Sequence, residues 1–363
     1  MRVGMDFRPA MGPRTGIGRY VAALSAELAG GGVDLRLYGV FLRGNRAARR
    51  RAPGGARLVA WPVPAILMDL LGTTGVLSAD RVLGGCDLFH HTDYVLCRVN
   101  GSTRQVMTLH DLAFLRSPDW HTPRARYALT KLVRRAAARC DGVCVPSLAT
   151  ARDCEERLGL SRDRVFVTPL GVDAPFYQVR RAPSRRPFFL AVGTIEPRKN
   201  HARLLRAFDS VARRNKEVRL LVAGKQGWGV EEARAAYDAS SARDRIVFLG
   251  YTPEDELRRL LAEATAMVYP SLWEGFGLPV LEAMAAGCPV LTSDVAPLRE
   301  TGGGAALFVD PLDTESIAAG MEALLDDGAL RCKLAARGRK RARAHSWSRC
   351  ADATRTAYEA LCA

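Results

Sequence analysis

The sequence predicts an α/β protein made of two tandem Rossmann-like, doubly wound domains that face a central cleft. Strand-like and helix-like segments alternate along nearly the whole chain, a pattern typical of parallel sheets covered by helices. A charged, proline-containing segment, RRAPSRRP at 180–187, interrupts this alternation once, and a second series of strands begins directly after it. Such a composition is typical of a linker, so we expect one domain on each side of it.

The elements follow in order. In the first half we predict a helix at 17–29 and strands at 2–6, 33–41, 86–89, 105–109, 143–145 and 164–168. In the second half we predict helices at 201–214 and 254–263 and strands at 188–194, 220–224, 245–250, 267–270 and 289–293. The predicted domains are 1–180 and 181–344, followed by a helical segment at 345–363. Ligands of such sheets bind beyond the carboxyl ends of the strands.

Composition limits the functional classes. The 363 residues are 48% hydrophobic, which excludes a disordered chain, and the net charge of +15 suits an anionic partner. A nucleotide, a phosphorylated lipid, an acidic membrane surface and nucleic acid all remain candidates. Nine cysteines form neither a CxxC pair nor a zinc-spaced cluster, and the N-terminus lacks the apolar core of a signal peptide. We therefore expect a cytoplasmic protein without a metal site.

Two segments raise the question of a membrane. The apolar stretch at 58–77 contains two prolines and an aspartate, so we expect it to pack inside the first domain or line an acceptor site rather than span a bilayer. The segment 124–140 predicts a basic helix whose Tyr127, Leu129 and Val133 could touch lipid. The alternative for that helix is a solvated outer face with its apolar side packed inward.

The segment SLWEGFGLPVLEAMAAGCPVL, at 271–291, predicts a strand end near Tyr269, a glycine loop and a helix with Pro279 at its first position. Free N–H groups and the helix dipole would make this loop attractive to an anion or a polyhydroxyl ligand. Glu274 and Glu282 could both face that ligand. The alternative is that Glu282 only complements the dipole and that Glu274 is a solvated loop charge.

Three further segments end predicted strands. TGIGRY places Gly16 and Arg19 at the start of a helix, where the loop either cradles phosphate or is only a tight turn. VMTLHDL places His110 directly after a strand, as a sugar contact or as part of a structural His-Asp turn. TIEPRKN places Lys199 at a helix start, where a cation is unfavourable unless an anion binds it.

Together, GIGRY, VMTLHDLAF, GTIEPRKN and WEGFGLPVLEAMAAGCPV resemble the retaining, GT-B-fold glycosyltransferases of family GT4. The chain is most similar to bacterial mannosyltransferase-like members of O-antigen and related polysaccharide pathways. The resemblance implies a metal-independent hexosyltransferase that uses a nucleotide sugar, with GDP-mannose the preferred candidate, and a hydroxyl acceptor that a lipid could carry. It also implies that the C-terminal helix crosses back to the first domain.

The resemblance also implies roles for individual residues. Catalytic roles fall to His110 beside the transferred sugar, Glu274 near its 3-hydroxyl and Lys199 at the diphosphate. Glu282 would hold the ribose. The remaining implied donor contacts are the backbone N–H groups of Phe276, Gly277 and Leu278, with Gly16 at the phosphates. Many relatives have arginine where this chain has Thr194, so Arg198 or Arg19 becomes the candidate for the second phosphate ligand.

Two alternatives to a transferase come from other classes. A sugar phosphorylase could share this architecture, and phosphate-dependent cleavage would identify it. A nonenzymatic binder of nucleotides or nucleic acid would account for the charge, but only 7% of the residues are aromatic and no recognition motif is present. We therefore expect no nucleic-acid partner, while peripheral contact with the inner face of the membrane stays open.

Overall fold

A computed structural model describes residues 1–12, 15–40, 52–61 and 78–363. The chain forms two compact units. The first consists of Met1–Arg116, Pro123–Gly171 and Trp347–Ala363, and the second of Ser117–Thr122 and Val172–Ser346. Most of the apolar stretch at 58–77 lies outside the described residues, but its first four positions belong to a strand.

The first unit contains a parallel sheet with the strand order β3-β2-β1-β4-β5-β6-β7. Its strands are β1 (Arg2–Asp6), β2 (Asp34–Val40), β3 (Arg57–Trp61), β4 (Leu88–His91), β5 (Arg104–Thr108), β6 (Gly142–Val145) and β7 (Val165–Val167). Its helices are α1 (Arg8–Met11), α2 (Gly16–Gly30), α3 (Ala79–Val82), α4 (Ala113–Arg116), α5 (Pro123–Arg139), α6 (Leu148–Leu158) and, at the C-terminus, α15 (Trp347–Cys362). β4 is buried along its whole length, as expected for a central parallel strand.

The second unit contains a parallel sheet with the order β10-β9-β8-β11-β12-β13. Its strands are β8 (Phe188–Val192), β9 (Arg219–Ala223), β10 (Ile246–Gly250), β11 (Ala266–Tyr269), β12 (Val290–Ser293) and β13 (Leu307–Val309). Its helices are α7 (Ala174–Tyr177), α8 (His201–Arg214), α9 (Glu231–Ala239), α10 (Glu254–Glu263), α11 (Leu278–Ala285), α12 (Ala296–Gly302), α13 (Thr314–Asp326) and α14 (Gly328–Arg343). α8 buries Leu204, Phe208 and Val211 on one helical face against this sheet.

The predicted α/β class with two parallel sheets is confirmed. Each sheet has one switch point, where the strand order reverses: β1 lies beside β4 in the first sheet, and β8 lies beside β11 in the second. Ligands of doubly wound sheets bind at the carboxyl ends of the strands that flank this point. In the second unit, those ends lead into the predicted Lys199 and Glu274 segments.

The edge strands β3 and β13 and the helices α13 and α14 are among the elements that were not predicted from the sequence. The boundary between the units also lies at Gly171 and Val172 rather than after residue 180. The reason is that the segment after 171 packs on the second unit: Phe176 is buried, the Tyr177 hydroxyl donates to Ala342 O at 2.9 Å, and Arg181 Nη2 donates to Ala264 O at 2.6 Å. The charged stretch at 180–187 is therefore attached to the second unit through Arg181.

Among the described residues, no helix combines the length and the apolar character that crossing a bilayer requires.

Candidate functional site

Lys199, Tyr269 and Glu274 meet where β8 and β11 end. Lys199 Nζ donates to Glu274 Oε1 at 2.6 Å and to the Tyr269 hydroxyl at 2.6 Å. The Tyr269 hydroxyl in turn donates to the same Glu274 oxygen at 2.8 Å. Tyr269 and Glu274 are buried, and the Lys199 side chain is only 13% exposed. The three groups therefore form a closed, mostly dry triangle of hydrogen bonds.

Arg198 holds the other oxygen of Glu274. Its Nη1 donates to Glu274 Oε2 at 2.6 Å and to Trp273 O at 2.8 Å, and its Nη2 donates to Glu196 Oε1 at 2.8 Å. Both oxygens of Glu274 thus have a cationic partner. Charge-assisted hydrogen bonds of this kind are stronger than neutral ones, so the carboxylate has a fixed orientation.

The cluster shifts the ionisation of its members. Burial alone would raise the pKa of Glu274, but the charges of Arg198 and Lys199 outweigh it and lower that pKa to about 2. Burial lowers the pKa of Lys199, although Glu274 beside it acts in the opposite direction. The site is a compact group of two cations and two carboxylates, in which Glu274 stays ionised.

Asn200 fixes the position of this charged loop. It has φ 61 and ψ 32, and within the described residues it is the only non-glycine with positive φ. Its Nδ2 donates to Pro270 O at 3.0 Å and to Pro311 O at 2.7 Å. Asparagine tolerates the left-handed region better than most residues, and its amide ties the end of the β8 loop to the ends of β11 and β13.

The glycine loop of the second unit ends at Gly277, which caps α11 with φ 93. This φ favours glycine, and a Cβ here would also lie 2.5 Å from Leu298 Cδ2, so that side chain would have to move. Within the part of the chain that the structure describes, the N–H groups of Phe276, Gly277 and Leu278 donate no hydrogen bond. These unused donors are the groups on which the predicted anion binding at this helix start depends.

Glu282 lies one turn into α11 and is buried, with 3% of its surface exposed. Pro279 occupies the second helical position rather than the first, because the helix begins at Leu278. This change is small, since the first four N–H groups of a helix have no partner within it. The helix ends before Gly287, whose φ of 73 suits a helix end.

In the first unit, His110 follows β5 and is half-buried. Its Nε2 lies 3.0 Å from Thr92 O, and the Tyr20 ring packs edge-on to it with centroids 5.0 Å apart. Burial lowers the pKa of His110, while the nearby Asp93 carboxylate opposes the change. Asp111 Oδ1 accepts a hydrogen bond from Ala113 N at 3.0 Å, so this neighbour serves the structural turn.

Gly16 begins α2, and the Thr15 hydroxyl accepts a hydrogen bond from Gly18 N at 3.0 Å. Gly16 is exposed, and a Cβ there would meet no atom within 4 Å. A Cβ at Gly18, in contrast, would lie 2.7 Å from Pro9 O. The steric need for glycine in this loop is therefore at Gly18, while Gly16 offers open backbone. Arg19, on the same turn, is partly buried.

Comparison with known proteins shows the family. A model described as Glycosyltransferase Family 4 matches residues 14–175, and one described as Glycosyl transferases group 1 matches residues 176–341. The O-antigen chain mannosyltransferase B of Escherichia coli is 31% identical over 272 residues, which cover 71% of this chain and 71% of that protein. The chain belongs to glycosyltransferase family 4.

Two further relatives extend the comparison of this glycosyltransferase. The MMP alpha-(1->4)-mannosyltransferase of Mycolicibacterium hassiacum is 30% identical over 247 residues, which cover 66% of this chain and 59% of that protein. The Anabaena protein Alr3699/HepE, solved in complex with UDP and glucose, matches with a TM-score of 0.75 over 99% of both chains at 16% identity. At that identity the likeness concerns the fold.

The structure of the glycosyltransferase brings together the predicted Arg198, Lys199 and Glu274. The loop of Phe276, Gly277 and Leu278 lies on the same strand-to-helix connection as Glu274, and Glu282 lies on the helix that follows. Sequence reasoning missed Tyr269 as a member of the site, because a tyrosine at a strand end is indistinguishable from core until its hydroxyl finds a partner. Asp93, whose carboxylate acts on the pKa of His110, was also missed.

Two of the three side chains of the basic helix α5 that were considered for lipid contact pack inward. Val133 is fully buried, and Leu129 packs against the hydrophobic core of the first unit, so neither is available to lipid. Tyr127 is 70% exposed and Leu132 is 37% exposed. The helix packs its apolar side inward, as the alternative interpretation had it, and leaves Tyr127 and Leu132 among exposed basic side chains.

Proposed function

We propose that this glycosyltransferase moves a hexose, with retention of anomeric configuration, from a nucleotide sugar to a hydroxyl acceptor. The preferred donor is GDP-mannose, and the acceptor classes are a glycan, a glycolipid and a natural product. Two relatives whose names specify mannosyl transfer support the choice of sugar. An epimeric hydroxyl is sensed by the placement of a few groups, so a panel of donors that differ in one hydroxyl tests this choice.

The observation that carries the proposal is the charged cluster at the β8–β11 switch point beside a helix start with free N–H groups. A departing nucleoside diphosphate gains negative charge as the bond between the anomeric carbon and the phosphate oxygen breaks. Lys199 and the N–H groups of Phe276 to Leu278 are donors fixed before the reaction, and such donors stabilise developing charge most effectively in a dry site. These groups would do so without a metal.

Glu274 is the anion that pairs with Lys199 inside the site. We propose that the diphosphate of the donor takes over part of this bond, while Arg198 keeps Glu274 in place beside the sugar 3-hydroxyl. Arg198 already has three protein acceptors at 2.6–2.8 Å. To serve as the second phosphate ligand, Arg198 would therefore have to release one of these three acceptors. Arg19 remains the other candidate.

The geometry argues against Glu274 as a covalent nucleophile. Both of its oxygens accept charge-assisted hydrogen bonds, which lowers their nucleophilicity. In the step that we propose, the acceptor oxygen forms the new bond on the face that the leaving group vacates. The acceptor proton passes to the departing phosphate oxygen, so atoms and charge balance without an enzyme-bound intermediate. Glu282 would hold the ribose, and His110, Gly16 and Arg19 keep the roles that the resemblance implies.

A lipid-linked acceptor would place the protein at the inner face of the membrane. On α5, Tyr127 and Leu132 are exposed among arginine and lysine side chains, and the helix has no acidic residue. Such a face suits anionic lipid. Flotation with phosphatidylglycerol vesicles should recover wild type, and the double variant Tyr127→Ser/Leu132→Ser should be recovered several-fold less; equal recovery would remove this face from the proposal.

The test of the transferase function is donor hydrolysis without acceptor. Wild type and Glu282→Ala would be incubated with a panel of nucleotide sugars, with and without inorganic phosphate, and the products measured by mass spectrometry. We expect one donor to be consumed by wild type and spared by the variant, with no sugar phosphate formed. Sugar phosphate would indicate a phosphorylase, and the absence of any consumption or nucleotide binding would contradict the proposal.

A further inference from the structure

Tyr269 has a position that the function proposed above does not use. It is the last residue of β11, its side chain is 3% exposed, and its hydroxyl contacts both charged groups of the Lys199–Glu274 pair. The hydroxyl accepts from the lysine and donates to the glutamate. A phenol is one of few neutral side chains that can do both at once while its ring packs in a core.

We propose that Tyr269 is a positioning residue, whose hydroxyl holds the Lys199 ammonium and the Glu274 carboxylate in the orientation that receives the donor diphosphate. This inference rests on the proposed function of the site. An incoming phosphate must compete with Glu274 for Lys199, so the hydrogen bond between the lysine and the glutamate weakens as the donor binds. The hydroxyl of Tyr269 stays with Lys199 throughout, so the ammonium keeps an acceptor that cannot leave.

The contribution of the hydroxyl is separable from that of the ring. Lys199 Nζ lies 4.9 Å from the centroid of the Tyr269 ring, so Tyr269→Phe keeps the ring, its packing and this cation–π contact. Only the two hydrogen bonds are lost. Phenylalanine also fills the same space in a buried strand, so the variant should fold. A matched control is Tyr237→Phe in the same unit, where the ring packs on Phe248 with centroids 5.4 Å apart.

The first experiment compares ligands with and without the second phosphate. Binding of GDP and GMP, and of UDP and UMP, would be measured by calorimetry for wild type, Tyr269→Phe and Tyr237→Phe. We expect Tyr269→Phe to weaken binding of the preferred diphosphate about tenfold, the effect typical of one hydrogen bond to a charged group. Under the proposed function Lys199 lies at the phosphate that leaves the anomeric carbon, which is the second phosphate and which a monophosphate lacks. Binding of the monophosphate should therefore change less than about twofold.

The outcomes separate positioning from structure. Equal losses for the diphosphate and the monophosphate would show that Tyr269 only supports the fold of the site. No loss for either would show that the hydroxyl is dispensable. Each of these results overturns the inference, while the Tyr237→Phe control should match wild type for all four nucleotides.

A second experiment decides the inference even if no nucleotide binds, which would instead count against the proposed function. Reductive methylation followed by mass spectrometry reports how often each lysine amine is neutral and accessible, with Lys131 and Lys216 as internal standards. In Tyr269→Phe, Lys199 loses one of its two acceptors and should be methylated several-fold faster than in wild type. An unchanged rate at Lys199 relative to the standards would overturn the positioning role.

Discussion

Lys199 donates a 2.6 Å hydrogen bond to Glu274, although the two residues are 75 positions apart in the sequence. The bond exists because β8 and β11 are neighbours at the switch point of the second sheet. A lysine at a helix start is electrostatically unfavourable unless an anion pairs with it, and Glu274 is such an anion.

Replacing Lys199 by alanine should reduce donor hydrolysis by about two orders of magnitude or more, because a preorganised cation at the leaving group is lost. The fold should persist, since Glu274 keeps its bonds to Arg198 and Tyr269. Rates and melting temperature would be measured together. The matched control is Lys216→Ala, an exposed lysine on the same unit, which should leave both unchanged; wild-type hydrolysis by Lys199→Ala would remove this lysine from the mechanism.

Protonation of Glu274 should make the free energy of unfolding depend on pH in the acidic range. Its pKa is about 2 in the folded protein, below its ordinary value of 4.5, so the stabilisation is complete above pH 4.5 and is lost as the pH falls toward 2. The depression corresponds to about 3 kcal/mol in total, of which about 2 kcal/mol should be lost by pH 3.

Denaturant unfolding at pH 6 and pH 3 measures this dependence. Glu274→Gln cannot titrate, so it should lose less stability than wild type between these pH values. The variant should also be less stable at pH 6, because Lys199 and Arg198 then face each other without the carboxylate between them. If both proteins lost the same free energy of unfolding, Glu274 would not be the titrating group.

Two substitutions at Asn200 should separate the contribution of its backbone conformation to stability from that of its side-chain hydrogen bonds. Asn200→Gly keeps the left-handed backbone and loses the bonds that the amide donates to Pro270 O and Pro311 O and the bond that its Oδ1 accepts from Arg203, which should cost about 1–3 kcal/mol. Asn200→Ala loses the same bonds and adds a strain of about 1 kcal/mol. Urea unfolding of both variants gives the difference directly. Equal stability of the two would mean that the backbone relaxes out of its φ of 61 at no cost.

Alanine substitutions at the two glycines near the start of α2, Gly16 and Gly18, should differ in their effect on stability. Gly18→Ala forces a methyl group to 2.7 Å from Pro9 O, a backbone atom that cannot rotate away, so it should destabilise the protein by about 1–3 kcal/mol. Gly16→Ala meets open space and should be near neutral for stability. If Gly16 approaches phosphate as predicted, Gly16→Ala should still weaken diphosphate binding. Thermal unfolding and calorimetry of the pair test both statements; a stable Gly18→Ala would show that α2 can shift.

The sequence predicted the two parallel sheets and most of their strands, since buried parallel strands are short apolar runs between glycine and proline signals. It also determined the glycine loop and the residue types of the site, because Gly277 and the start of α11 form a local strand–loop–helix unit. The edge strand β13 was missed because it has only three residues, Leu307–Val309, too few to show a pattern. The unit boundary was misplaced because Tyr177 and Arg181 bind distant carbonyl groups.

Which side chains meet in the site depends on contacts between distant segments of the chain. Strand order places Lys199 beside Glu274, and this order is set by packing of distant strands rather than by local propensity. The same applies to Tyr269, whose hydroxyl has meaning only once two charged partners from other segments surround it. Sequence carries the chemistry of a side chain and its local conformation, whereas its partners, its burial and therefore its ionisation arise from contacts between segments far apart in the chain.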